Sequence, residues 1–286
     1  MLNLMYITKR PEIAQIAENA GVNWIFVDME FIGKDIRQGG LDTVQNHHTV
    51  QDVENICNAV KKAKVLVRVN PIHAELPYYF SSEVEIDSVI KAGADIVMLP
   101  YFKTKEEVMS FLKYVKSSAI KYNKDVKTCL LVETAEAALL LDSILELKGI
   151  DMIHLGLNDL HLALGMKFMF ELLADGTVDR LAAKIKAKGI PFGFGGIATL
   201  NGGAVPGSMI LKEHYRLGSS MVIVSRSFCN TDKITNLDEI KNIFQKGIAQ
   251  IRKLENEAAN AACYFSHNRE FVIQSILKFI DNNKNK

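Results

Sequence analysis

VKTCLLVETAEAALLLDSILELKGIDMIHLGLNDLHLALG, residues 126–165, decides how the chain is read. Thr128 to Val132 form a short apolar run rich in strand formers that stops at Glu133, and Ile150 to Leu155 form a second run that stops just short of Asp159. Between them Ala135, Ala138, Leu139, Leu141, Ile144 and Leu145 recur at helical spacing, so the unit reads strand, helix, strand. Consecutive strands joined by a helix lie parallel, and each delivers one carboxylate beyond its carboxyl end, where parallel α/β proteins bind ligands. Two readings of Glu133 and Asp159 are open at this point. They cap the helices that begin at Ala135 and Leu160, or they are hard oxygen ligands for Mg²⁺ or Mn²⁺ whose other positions water or substrate would fill.

Working outward, the same alternation continues in both directions. Leu2–Ile7, Trp24–Val27, Lys64–Val69 and Ile96–Leu99 read as the first four strands, and Ile190–Phe194 and Met221–Val224 as the seventh and eighth. Helices are expected over Pro11–Ala20, from Thr49, over Glu83–Ala92, over Thr104–Tyr122 with a Thr104/Glu107 capping box, over Leu172–Lys188 and over Met209–Leu217. Eight strands alternating with helices predict a (β/α)8 TIM barrel with a helical C-terminal extension. Residues 1–230 would form its core and 231–286 a helical segment of the same domain ending in a polar, disordered tail, DNNKNK.

Strand ends are where the remaining chemistry gathers. The second strand ends in Asp28, Met29 and Glu30, and a long irregular stretch follows, carrying three glycines and then His47 and His48. The third strand is apolar except for Arg68, which is costly between two packed faces unless an anion meets it. The loop from Gly193 to Gly207 holds six of the 18 glycines. It serves either as a backbone cradle for an anion or as a lid.

Composition narrows the classes. The chain has 286 residues, 48% of them hydrophobic, enough for a substantial core. Its 34 basic and 33 acidic residues leave no charge excess to suggest nucleic acid or an anionic membrane, so a small molecule is the expected partner. The four cysteines are widely spaced and read as reduced thiols. No stretch has the pattern of a signal peptide or the roughly 18 apolar residues of a bilayer span, so a cytoplasmic location is expected.

Five segments, taken together and in order, resemble the HpcH/HpaI aldolase and citrate lyase β-subunit family of metal-dependent barrels: GVNWIFVDME, VLVRVNP, GADIVMLPYFKTKEEV, LLVETAEAALLLDSIL and GIDMIHLGLNDLHLALG. The resemblance implies class II aldol chemistry through the enolate of pyruvate or a similar 2-oxo acid, with an aldehyde or similar acceptor. It implies Glu133 and Asp159 as ligands of a divalent metal, Mg²⁺ or Mn²⁺, and Arg68 as a fixed positive charge at the enolate oxygen. Glu30 would hold a metal-bound water with Asp28 supporting it, and Gly156, Leu157 and Asn158 would offer backbone N–H groups to the substrate carboxylate. It also implies a homo-oligomer packed through its last helices.

The chain departs from that family at one pair of positions. A histidine after the second-strand glutamate and an aspartate late in the third helix are replaced by Phe31 and Lys91. His47 or His48 would restore an imidazole for acid–base work if the loop returns it to the site; otherwise each is a loop or capping histidine. Three other readings stay open: a citrate lyase-like enzyme acting on an acyl thioester or oxaloacetate, a barrel that binds a 2-oxo acid without turning it over, and a structural protein that does neither.

Overall fold

The computed structural model describes residues 1–33, 48–77, 79–225, 227–260 and 265–282. The eight strands among them are β1 (Asn3–Ile7), β2 (Trp24–Asp28), β3 (Lys64–Arg68), β4 (Ile96–Leu99), β5 (Lys127–Val132), β6 (Met152–Leu155), β7 (Phe192–Ile197) and β8 (Met221–Val224). Each pairs in parallel with the next and β8 returns to β1, closing the barrel. His47, Gly39 and Gly40 of the irregular stretch, Arg226 and the last four residues lie outside the described residues.

The strands are continuous apolar runs because both faces are packed. Met5, Trp24, Phe26, Leu66, Ile96, Met98, Cys129, Leu131, Met152 and Met221 fill the interior as one cluster, and a larger cluster lies between strands and helices. Alternation fixes what else points inward. Asp28 follows Phe26, Arg68 follows Leu66 and His154 follows Met152, so all three face the axis near the carboxyl ends of their strands.

Several expected helices are shorter than their apolar spacing suggests. The run from Ala135 divides at Leu140 into Ala135–Leu139 and Leu141–Ile144. The expected Leu172–Lys188 helix is two, Glu171–Ala174 and Thr177–Ala187, parted where Gly176 takes φ +78° and Asp175 accepts from both the N–H and the hydroxyl of Thr177. β7 runs later than Ile190–Phe194, reaching Ile197 through an irregularity between Gly193 and Gly196. The Thr104/Glu107 capping box forms as read.

Two long C-terminal helices, Leu237–Asn260 and Phe265–Asn282, complete the chain, so Asp281 and Asn282 of the expected polar tail end a helix. The first packs against the Pro11–Ala20 and Gly207–Leu217 helices on the outer side of the barrel, its Phe244 meeting Tyr6 edge to face at 4.8 Å. Its Arg252 donates to the carbonyls of Leu2 and Gly21, and its buried Glu255 accepts from the Leu2 N–H at 2.6 Å and from the Tyr215 hydroxyl. The second is tied to the Gly207–Leu217 helix by Asn268, which donates to the Met209 carbonyl and the fully buried Glu213, and by Arg269, which meets Glu213 and Asp179.

β7 can run past β6 and β8 only because it lacks side chains on its inner face. A Cβ on Gly193 would lie 2.3 Å from both the Met221 carbonyl oxygen and its Cγ, and 2.8 Å from His154 Nδ1. Backbone cannot yield to that contact as a side-chain tip can. Gly193→Ala is therefore expected to lower unfolding stability by about 2 kcal/mol or more, measured by urea denaturation; an unchanged midpoint would contradict this packing.

Candidate active site

At the carboxyl ends of the strands lies a cavity of about 440 Å³ lined by residues from several strands and the loops after them. Asp28, Arg68, Glu133, Gly156, Leu157, Asn158 and Asp159 are all on its wall. Sequence spacing placed these residues at strand ends, and closure of the barrel brings them to one opening.

Arg68 organises the charged side. β2 and β3 pair with Asp28 opposite Arg68, so the two side chains leave the sheet together. Arg68 Nε and Nη2 donate to the two oxygens of Asp28, each at 2.8 Å, in the bidentate fork a guanidinium favours, and Nη1 meets Glu30 Oε2 at 3.1 Å. Burial opposes the guanidinium charge, but Asp28, Glu30 and then Glu133 outweigh it and hold Arg68 well above its ordinary pKa. The ring of Phe26 lies beneath it. Of the five N–H groups of a guanidinium, three are engaged in this way.

Glu133 does not cap the helix that follows it. That role belongs to Thr134, whose hydroxyl accepts from the Ala137 N–H. Glu133 turns into the barrel mouth, 2% exposed, and accepts from the Tyr101 N–H at 3.0 Å. Tyr101 presents that N–H from a left-handed backbone, φ +47°, a conformation rare for a tyrosine and one that concentrates at sites where geometry is imposed. On the other side, a Cβ on Gly156 would sit 2.7 Å from Glu133 Cβ and 2.8 Å from Oε2. Glycine there leaves the carboxylate its place. Asp159 is likewise not the cap of its helix. The helix begins at Leu157 after Gly156, and Asp159 lies in its first turn, partly exposed to the cavity.

The Gly156 N–H was read as open to substrate, but it is spent on the Val132 carbonyl at 2.9 Å, because the residue still continues the β5–β6 pairing. The N–H groups of Leu157 and Asn158 have no hydrogen-bond partner among the described residues, as expected at a helix start. Glu30 is buried against Arg68 and is not on the cavity wall. His48 returns to the second strand, buried, with Nδ1 accepting from the Asp28 N–H at 3.0 Å. That bond leaves the proton of the neutral ring on Nε2. His48 is also off the wall. Phe31 packs on Tyr79, 4.6 Å between ring centroids, and Lys91 is exposed near the end of its helix.

Two groups were not singled out from the sequence. Asn70, directly after β3, accepts from the N–H groups of Phe31 and Ile32 while donating to Glu85, and so fixes the chain leaving Glu30. His154 is 1% exposed on the barrel's inner face, with Nε2 bound to the Gly195 carbonyl at 3.1 Å and Nδ1 without a partner. A histidine on the inward parity of an apolar strand was its only signal. Burial, offset in part by the Gly195 bond and reinforced by Arg68, lowers its pKa to about 4.

The carboxylates bear on a metal. Asp28, Glu30, Glu133 and Asp159 lie with Arg68 around the mouth, and no lysine lines the cavity among the described residues. Among those residues no three His, Cys, Asp or Glu side chains gather as a closed cage. Glu133 and Asp159 offer instead two hard oxygen donors on one cavity wall. That donor set fits an octahedral dication which keeps several positions for water or substrate.

A closed parallel barrel with carboxylates and an arginine at its carboxyl face defines a class of small-molecule enzymes. The sequence matches the profile of the HpcH/HpaI aldolase/citrate lyase family over residues 3–190, about two thirds of the chain, and the protein belongs to that family. Among curated proteins, none is similar enough in sequence to match. Solved structures share the fold. The HpcH/HpaI aldolase of Desulfitobacterium hafniense DCB-2 has a TM-score of 0.60 at 15% identity, with 84% of this chain and 93% of that one covered. A HpcH/HpaI aldolase/citrate lyase family protein of Burkholderia cenocepacia J2315 has 0.60 at 17% identity, covering 84% and 94%. The citrate synthase SbnG has 0.59 at 15% identity, covering 84% and 92%. No helix among the described residues is long and apolar enough to cross a membrane.

His154 supplies a test of the site's electrostatics. Its pKa is lower in the folded than in the unfolded chain, so the unfolded state binds the proton more readily and stability falls as pH drops from about 6.5, the ordinary histidine value, toward 4. His214, also buried and held well below its ordinary value, adds in the same direction. Imidazole ¹⁵N spectra are expected to show His154 neutral at pH 5.5, protonated on Nε2; an imidazolium at that pH would refute the assignment.

Proposed function

We propose that this protein makes or breaks a carbon–carbon bond through the enolate of pyruvate or a related 2-oxo acid, as a divalent-metal-dependent lyase of the class II aldolase type. The observation that carries the reading is one cavity whose wall holds a charge-clamped arginine together with the carboxylates of Glu133 and Asp159. Glu133 and Asp159 would hold the dication, Mg²⁺ or Mn²⁺. When bound, such an ion supplies Lewis-acid stabilisation of the charge that develops on the 2-oxo oxygen.

The protein's own groups account for orientation. Arg68 cannot rotate, since Asp28 grips two of its nitrogens and Glu30 the third, and its remaining N–H groups meet the substrate oxygens without reorganisation. The Leu157 and Asn158 N–H groups offer donors to the substrate carboxylate from the side of Asp159. Tyr101 and Gly156 fix the Glu133 carboxylate between them. His48 supports Asp28 through its backbone, and with Nδ1 occupied its neutral ring can donate a hydrogen bond from Nε2 but cannot take up a proton at Nδ1. Its place in the reaction is thus as a donor or as a brace of the clamp.

The test is exchange of the pyruvate methyl protons in D₂O, followed by NMR with Mg²⁺ or Mn²⁺ and with EDTA. Exchange is expected with metal only, and Glu133→Gln is expected to lower it at least about 100-fold, the scale typical of losing a group that acts in the transition state. Folded, metal-supplemented protein that exchanges no protons would remove the pyruvate reading. Saturable acyl-CoA binding in that case would favour the citrate lyase-like alternative.

A further inference from the structure

The cavity has two unlike halves. Asp28 and Arg68 on β2 and β3, with Glu133 and Asp159, make the charged half. Across the mouth, the corresponding inward positions at the ends of β1 and β8 are Ile7 and Ile223, and β7 offers Gly195 and Gly196. Ile7 and Ile223 belong with the barrel interior but are only half-buried, because the cavity opens above them. Phe168, Phe170, Val205 and Ile210 continue this surface from the loops and the Gly207–Leu217 helix.

No described side chain on this half carries a charge. His154 is neutral, and the hydroxyls of Ser225 and Ser227 are 2.6 Å apart and bind one another. The wall is also braced. Phe168 meets Phe170 edge to face at 5.3 Å and Phe279 of the last helix at 4.3 Å, while Asn268 ties that helix to the Met209 carbonyl and to Glu213. An apolar wall held from behind in this way is a preformed site. β7, β8 and the C-terminal helices lie outside the span that matches the family profile.

Resting on the enolate reading above, we propose that this half binds the acceptor and that the acceptor is an apolar aldehyde, aliphatic or aromatic, with no charged group. The pyruvate methyl group gives up a proton, its carbon bonds to the aldehyde carbon, and the former carbonyl oxygen takes up a proton. The product is a 4-hydroxy-2-oxo acid containing every atom of both reactants. Among the described residues, an acceptor's own carboxylate would find no cation beside Phe168, Phe170, Val205 and Ile210, and burying it there unpaired is costly.

The experiment measures kcat/KM for addition of pyruvate to propanal, butanal, pentanal, hexanal and benzaldehyde, against glycolaldehyde and glyoxylate. It is run on the full-length protein with added Mn²⁺ and alongside the deuterium exchange. The value is expected to rise about threefold per methylene, close to the transfer free energy of a buried CH₂, with hexanal at least tenfold above glycolaldehyde and glyoxylate. Saturation-transfer NMR with 1-hexanol, which cannot react, is expected to show binding that competes with hexanal. Val205→Asp is expected to lower the hexanal-to-glycolaldehyde ratio about tenfold. Ile210→Ala, a milder change should the first variant not fold, is expected to lower it several-fold. A flat series, or preference for glyoxylate, with methyl exchange intact would overturn the apolar acceptor and leave the enolate reading standing. Loss of exchange itself would overturn that reading instead.

Discussion

The clamp of Arg68 between Asp28 and Glu30 is the interaction on which the site depends. Taking a guanidinium and two carboxylates out of water costs several kcal/mol per ion unless each finds a partner of good geometry. The parallel register of β2 and β3 provides one by setting Asp28 opposite Arg68. Removing Asp28 would take from the buried guanidinium two of the three bonds described above, so the pair helps hold the two strand ends together. Glu133 and Asp159 lie across the mouth from the clamp, the two carboxylates that the proposed function would give to a dication.

Much of this was legible in the sequence because a parallel barrel turns strand order into spatial order. Once eight apolar runs alternate with helices, the residue that ends each run must lie on one face, and Asp28, Arg68, Glu133 and Asp159 follow without any knowledge of side-chain contacts. What sequence spacing could not supply was direction. Glu133 and Thr134 both suit a helix start, and only the close approach of β4 shows that Tyr101 claims the glutamate and leaves the cap to threonine. Gly156 looks like a free donor, yet it still belongs to the sheet. His154 was hidden by its surroundings, since one polar residue in an apolar strand reads as tolerated until barrel closure shows it facing inward.

At Phe31, where the resemblance would imply a histidine, the structure shows a different use. Phe31 packs on Tyr79 and its N–H is held by Asn70, so the position after Glu30 is spent on anchoring the chain that leaves it. His48 approaches from the far end of the same loop and binds the Asp28 N–H. Both ends of the insertion are therefore fastened to the clamp. A loop tied in this way holds Asp28 and Glu30 against Arg68 and limits how far they can relax when the charge in the cavity changes.

The division of labour around the barrel follows from the same geometry. On β2 and β3 the last inward positions carry charge and are compensated within the pair. On β7 they carry no side chain at all, because a Cβ at Gly193 would strike β8 and one at Gly195 would strike Leu157 at 2.9 Å. Glycine at Gly195 and Gly196 leaves depth to the cavity on that side. Apolar residues from the following loops and from the helix braced by the C-terminal extension then line the depth. On the proposed reading, a substrate spanning the mouth would pass from a region that holds its oxygens to one that meets only its carbon skeleton, and the last helix, through Phe279 against Phe168, braces the second.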